Sequence, residues 1–208
     1  MQKGSFITFE GVDGSGKSTQ AKVLANTLNK NGYTTVLTRE PGGSIGAELI
    51  RKLLVEGDPD RWSPETEMLL FTAARRDHLE KTINPALKEG KIVISDRFAD
   101  STRIYQGATR GDLRSIVDNL HKLMIGCEPD LTIIIDIDPS ESLARGLARG
   151  SGEDRFEGFG LNFQQKLRRG FLNLAADFEE RCKIVNGTQS IGKVSSEILN
   201  LVYSKLND

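Results

Sequence analysis

Cysteine is scarce: Cys127 and Cys182 are the two in 208 residues, with no Cys-x-x-Cys pair and no Cys/His ligand spacing. That scarcity excludes a disulfide framework, suggests no zinc site and fits a reducing cytoplasm. An excess of charge is also missing. With 28 Lys and Arg against 29 Asp and Glu, the net charge is -1. Nothing in the overall charge points to nucleic acid, so any phosphate that is handled is local to a pocket. The beginning of the chain lacks the pattern of a signal peptide or membrane span. There Phe6-Ile7-Thr8-Phe9-Glu10 is too short and too soon charged. Repeats, low-complexity tracts and linkers are absent as well. At 38% hydrophobic and 27% charged, the chain reads as one soluble domain over 1–208, able to bury a substantial core.

What is present is an alternation. Short apolar runs rich in β-branched residues stand at Phe6 to Phe9, Thr35 to Leu37, Ile92 to Ile94, Leu131 to Ile137 and Ile184 to Val185. Between them lie segments with helical spacing, such as Ala21, Leu24, Ala25 and Leu28, then Leu49, Ile50, Leu53 and Leu54. Parallel neighbours need crossover helices, so this order predicts an α/β fold with a five-stranded parallel sheet and helices on both faces. The continuous run Ile133-Ile134-Ile135 suits a strand buried on both sides. Ser63-Pro64-Glu65 reads as N-cap, N1 proline and first-turn acid of a helix reaching about Leu79, and Gly90 closes the helix after it. Asp138-Pro139-Ser140 starts another helix. The stretch from Arg149 to Gly160, rich in Gly and charge, reads as a mobile loop within the domain.

Directly after the first run stands Gly11-Val12-Asp13-Gly14-Ser15-Gly16-Lys17-Ser18, which fills every fixed position of the G-x-x-x-x-G-K-[ST] pattern. Its glycines let backbone N–H groups turn inward around phosphate oxygens, and the helix that follows adds its positive end. Lys17 suits the β- and γ-phosphates of ATP, and the Ser18 hydroxyl suits Mg²⁺. This loop names the donor and leaves the acceptor open. A GTPase would carry an Asn-Lys-x-Asp motif, which is missing, and larger ATPases need more chain.

The third run ends in Ile94-Ser95-Asp96-Arg97-Phe98, setting an acid and an arginine at the carboxyl edge of the sheet, where open α/β sheets bind ligands. Asp96 suits the water shell of Mg²⁺ and Arg97 suits an acceptor phosphate. Elsewhere the two would read as a surface ion pair.

Further segments stand in a telling order: Phe9-Glu10-Gly11, Thr38-Arg39-Glu40-Pro41-Gly42-Gly43, Leu70-Phe71-Thr72-Ala73-Ala74-Arg75, Asp96-Arg97-Phe98, Asp100-Ser101-Thr102 to Tyr105-Gln106-Gly107, and Pro129-Asp130-Leu131-Thr132. Together they resemble the bacterial thymidylate kinases over nearly the whole chain. The Arg-Glu-Pro-Gly-Gly and Tyr-Gln-Gly pieces discriminate far better than the phosphate loop. The resemblance implies a P-loop nucleoside monophosphate kinase, phosphorylating dTMP to dTDP with Mg·ATP in deoxythymidine nucleotide synthesis. It also implies a homodimer.

Residue by residue, the resemblance implies that Phe71 stacks on thymine and that Arg75, one turn later, donates to a base carbonyl. Thr102 would bond the pyrimidine edge. Ser101 looks like a base or sugar contact, and Tyr105 and Gln106 would close around the deoxyribose, crowding a 2′-OH. Asp13 matches an acidic position near the acceptor 3′-OH and the metal, and Glu40 and Pro41 match the turn beside the acceptor phosphate. Arg51 matches a basic acceptor-site position, or is a solvated helix residue. The family carries its transition-state arginine either in the P-loop or in a lid. Val12, Asp13, Gly14 and Ser15 offer no base, whereas Arg145, Arg149 and Arg155 flank or occupy a segment at about 145–160. That is the lid-type pattern. Two other readings stay open: a kinase of another monophosphate or of a nucleoside, and a non-catalytic nucleotide-binding protein.

Overall fold

The computed structural model describes residues 4–58, 61–108, 113–142 and 160–207. Five strands, β1 (Ser5–Glu10), β2 (Thr35–Arg39), β3 (Ile92–Asp96), β4 (Leu131–Asp136) and β5 (Cys182–Asn186), form one sheet in the order β2-β3-β1-β4-β5. Every pairing is parallel, as the alternation of runs and helices predicts. In register, Phe9 stands between Asp96 of β3 and Ile133 of β4. From that level β3 ends, β1 runs one residue further to Glu10 and β4 three further to Asp136. Because β1 is followed in space by β3 on one side and β4 on the other, the order reverses at β1, which is where such sheets open a crevice.

Successive side chains of a strand point to opposite faces, and both faces here are covered. Ile7, Phe9, Ile94, Ile133 and Ile135 pack on one side against Leu24 and Leu28 of helix α1 (Lys17–Lys30) and Val194 and Ile198 of the last helix. On the other side Phe6 and Val93 meet Leu79, Ile83 and Phe98. Ile134 meets Leu167, Phe171 and Leu174 there.

Helix α2 (Ile45–Val55) takes its cap from Ser44 and lies along α3 (Pro64–His78), which begins at Ser63 with its side chain accepting from Thr66 N at 3.2 Å. A π-helical turn, Leu79–Ile83, leads into α4 (Asn84–Lys88), and left-handed Gly90 ends that segment. After β3 come α5 (Ala99–Thr102) with a π-helical turn (Arg103–Ala108), and α6 (Arg114–Leu120) with another (His121–Ile125). Helices α7 (Gly160–Asp177) and α8 (Ile191–Asn207) flank β5. Residues 139–142 are helical behind Asp138, whose Oδ1 accepts from Ser140 N at 2.9 Å. No helix among the described residues is long and apolar enough to cross a membrane.

Candidate active site

Between β1 and α1 the chain turns tightly on left-handed glycines, Gly11 at φ 133°, Gly14 at 82° and Gly16 at 100°. A Cβ on Gly11 would sit 2.6 Å from the Ile135 carbonyl oxygen, so sheet and loop touch there through bare backbone. Val12 turns its side chain into the core beside Ile104 and Tyr105. Its carbonyl accepts from Lys17 Nζ at 2.8 Å. Burial and the neighbouring Arg97 push the Lys17 ammonium down to about 8, which leaves it charged at neutral pH. Helix α1 has no acid of its own in its first turn, and its positive end faces the cleft. Ser18 Oγ donates to Asp96 Oδ2. Asp96 Oδ1 is buried without a hydrogen-bond partner among the described residues.

Arg97 lies in the left-handed region, φ 72°, a conformation a non-glycine residue keeps when its surroundings hold it there. They do so on both sides. Its own N–H donates to the Phe9 carbonyl at 2.9 Å, and its carbonyl accepts from Ser95 Oγ at 2.7 Å. The next residues are tied to Glu10, whose carboxylate accepts from Phe98 N at 2.8 Å, Ser101 N at 3.3 Å and Ser101 Oγ at 2.6 Å. The guanidinium then crosses the cleft, pairing with Asp13, donating to Ser101 Oγ at 2.9 Å and lying 5.1 Å over the Tyr105 ring. The Tyr105 hydroxyl donates to Asp13 Oδ2 at 3.0 Å.

These charges set one another. Burial works to raise Asp13, but Arg97 and Lys17 overcome it and hold the carboxyl down to about 2. Burial keeps the Tyr105 phenol well above its ordinary range and therefore neutral. Glu10 is raised to about 7, first by burial and then by the nearby Asp100.

At the other end of the crevice, Arg75 is 4% exposed and held by neighbours: Nε donates to Glu40 Oε2 at 2.7 Å, and Nη2 to the Phe98 carbonyl at 3.1 Å and Thr102 Oγ1 at 2.9 Å. Phe71 stands one turn before it on the same wall. Gln106 Nε2 donates to buried Glu67 at 3.2 Å, and Arg51, half-buried, lines the cleft and reaches the Pro41 carbonyl at 2.6 Å.

One cleft of about 740 Å³ joins these parts. All the residues singled out from the sequence for phosphate, sugar, base or metal line it, except Gly11 and Val12, which support the loop from behind, and Arg145, Arg149 and Arg155, which lie outside the described residues. Gly187, Gln189 and Ser190, between β5 and α8, and Ile191 at the start of α8 close the end beyond the phosphate loop. The sequence reading missed this last segment, although its place after a strand at the carboxyl edge was a usable signal. Glu10 was missed as a site residue too. An acid ending an otherwise apolar strand was the clue.

A family model described as thymidylate kinase matches residues 9–198. Over 198 residues, 95% of this chain and 96% of the relative, the chain is 66% identical to a thymidylate kinase of Dinoroseobacter shibae. It is 60% identical to one of Ruegeria pomeroyi over 204 residues, 98% and 97% of the two chains. A solved thymidylate kinase from Ehrlichia chaffeensis superposes with a TM-score of 0.79 at 37% identity, covering 97% of this chain and 99% of that one.

The raised Glu10 carboxyl makes a prediction about stability. The unfolded chain releases this proton near 4.5 and the folded chain near 7. Between those values the folded state binds more proton, so stability falls as pH rises. Measured by urea unfolding, the stability of wild type relative to Glu10→Gln should fall by roughly 1–3 kcal/mol from pH 5 to pH 8. A difference that stays constant over that range would remove the raised carboxyl.

Proposed function

The chain belongs to the thymidylate kinase family, and from that premise we propose that its cleft transfers the γ-phosphoryl group of ATP to dTMP, giving dTDP and ADP. The observation that carries the reading is the continuity of the cleft: the phosphate loop and the Phe71–Arg75 wall open into the same space, with Arg97 and Asp13 at the joint. ATP lies with its phosphates in the loop and on the start of α1, and its base toward Gln189, Ser190 and Ile191. Lys17, charged and resting on the Val12 carbonyl, moves to the β- and γ-phosphates. The dTMP base stacks on Phe71 and meets Arg75 and Thr102, while Tyr105 and Gln106 crowd a 2′-hydroxyl. Asp13 lies near the 3′-hydroxyl, and its phosphate is held by Arg97 beside the Glu40–Pro41 turn and Arg51. That phosphate is already an anion, so no dedicated base is needed, and catalysis is positioning and electrostatics.

Mg²⁺ fits this site. Magnesium takes oxygen ligands and relies on one or two protein groups plus phosphates and water. Ser18 and Asp96 are in contact, and Asp96 Oδ1 has no partner among the described residues. These two residues would hold the ion, which when bound neutralises charge on the phosphates. The transition-state arginine that the family likeness implies is one of Arg145, Arg149 and Arg155, which lie outside the described residues of the single domain 1–208. The scarcity of cysteine supports a cytoplasmic enzyme.

The active form is a homodimer. Support comes from α2, where Ile45, Leu49 and Leu53 form a stripe four residues apart that is 88%, 61% and 45% exposed, beside Leu69 of α3 at 57%. An apolar stripe of this kind on a folded surface marks a contact. Sedimentation at micromolar concentration should give about twice the chain mass of 22.9 kDa, and a monomer would remove the dimer from this reading.

The substrate assignment is tested by ADP release in the presence of dTMP. The preference for dTMP over dCMP, in kcat/KM, tests the base-reading residues. Phe71→Ala should weaken dTMP by about 1–3 kcal/mol, the worth of a base stacked on an aromatic ring. Arg75→Ala should cost at least as much and shrink the preference, since cytosine carries an amine where thymine has the carbonyl. The KM for ATP should stay put in both. Loss of ATP affinity with an unchanged preference would mean that this helix does not read the base.

A further inference from the structure

We propose that His78 is a positioning residue for base recognition, holding Glu40 so that Glu40 aims Arg75 into the cleft. The proposal rests on the reading that Arg75 meets the acceptor base. A run of hydrogen bonds, half-buried at Thr38 and buried from His78 onward, starts far from the substrate and ends at it. Thr38 Oγ1 and His78 Nε2 lie 2.7 Å apart, His78 Nδ1 and Glu40 Oε1 2.9 Å, and Glu40 Oε2 and Arg75 Nε 2.7 Å. Arg75 then donates through Nη2 to Thr102 Oγ1. His78 has no exposed surface, Glu40 is 5% exposed and Arg75 4%.

The direction of each bond follows from chemistry. A carboxylate only accepts, so Nδ1 of His78 carries the hydrogen that faces Glu40. In the neutral ring Nε2 is then the acceptor, and it takes the Thr38 hydroxyl hydrogen. Glu40 is held from two sides, by an imidazole N–H and by a guanidinium N–H, and the plane of its carboxylate fixes the plane of Arg75. Such a chain sets orientation because each member has one arrangement in which no buried polar atom is left unpaired.

The Arg39-Glu40-Pro41-Gly42-Gly43 turn is shaped around this chain. Gly43 has φ +87°, and a Cβ there would overlap both His78 Nε2 and Thr38 Oγ1. The Gly43 carbonyl accepts from Thr82 Oγ1 at 2.7 Å, and its N–H donates to Glu48 at 3.0 Å, so the turn is pinned against the ring. Glycine is needed at 43 because the imidazole–hydroxyl contact occupies the space of a side chain. Residue 78 also lies three positions after 75, on the same side of α3. One helix therefore presents both the base-reading arginine and the ring that steadies its partner.

The test uses two substitutions that keep opposite halves of the ring. In His78→Asn the amide nitrogen replaces Nδ1 and still donates to Glu40. In His78→Gln the amide reaches the Nε2 position and meets Thr38 alone. The readouts are kcat/KM for dTMP and dCMP, KM for ATP and thermal midpoint, in these two, in Arg75→Ala, and in Arg75→Ala with His78→Gln. We expect His78→Gln to lower kcat/KM for dTMP about tenfold and to shrink the preference over dCMP similarly, with KM for ATP unchanged. His78→Asn should stay within about threefold of wild type. Adding His78→Gln to Arg75→Ala should not change the preference further, because the ring acts through the arginine.

Equal losses in Asn and Gln variants, an unchanged preference in His78→Gln, or a further loss of preference in the double variant would each overturn the proposal. If Arg75→Ala alone leaves the preference unchanged, the base-reading role of Arg75 has failed, and the positioning role falls with it. If His78→Gln does not fold, His78→Leu reports instead. It fills the same apolar space with no ring nitrogen and leaves Glu40 Oε1 without that donor. A loss of dTMP preference at unchanged KM for ATP supports the chain, and wild-type preference overturns it.

Discussion

The ion pair between Arg97 and Asp13 is the interaction on which the site turns. It joins the loop after β1 to the segment after β3, at the point where the strand order reverses. Arg97 reaches that position by a left-handed backbone that its neighbours on β1 hold, through the Phe9 carbonyl and the Glu10 carboxylate. Asp13 in turn is kept ionised by Arg97 and Lys17. A partly buried charge without a partner is costly, so this pair is the arrangement to which both segments settle before any phosphate arrives. In the proposed reaction the acceptor phosphate enters beside this pair, and the guanidinium needs to turn rather than travel.

Support for that joint extends through buried charge to the far side of the sheet. Asp100, next to Ser101 and 1% exposed, is bound by Arg103 at 2.7 Å and by Arg181 at 2.6 Å. Arg103 also grips Glu128 and Asp118, and both arginines lie against the Phe178 ring. The short helix α5, which carries Ser101 and Thr102, is thereby fastened to the residue that leads into β5 and to the loop before β4. Removing one member of such a cluster leaves an uncompensated buried charge, so the helix has little freedom to shift. The cleft wall is rigid for electrostatic reasons as much as for apolar packing.

The sheet was legible in the sequence because its strands are apolar runs buried on both faces, and the phosphate loop was legible because its chemistry demands glycines at fixed spacing. Ser63 and Pro64 likewise marked the start of α3 by local chemistry alone. What stayed hidden depends on partners far apart in the chain. The spacing of Leu49 and Leu53 correctly predicted a helix, yet both side chains face outward and Ala47 and Leu54 face the core. A stripe that meets a second surface has the same period as one that meets the core. Glu10 and His78 are acid and imidazole whose partners lie 91 and 38 residues away, and no local pattern announces such bonds. The left-handed Arg97 is hidden for the same reason, since the side chains that enforce it come from another strand. The π-helical turns after α3, α5 and α6 also follow from packing rather than from any local signal.

The central claim is that one cleft seats both nucleotides with their phosphates meeting between Lys17 and Arg97. It is tested most directly by inhibition with a molecule in which adenosine and thymidine are joined 5′ to 5′ through a chain of phosphates. A single continuous cleft predicts inhibition that is competitive against ATP and also competitive against dTMP, with binding tighter than that of either nucleotide alone. Competition against one substrate and not the other, or binding no tighter than ATP by itself, would contradict it.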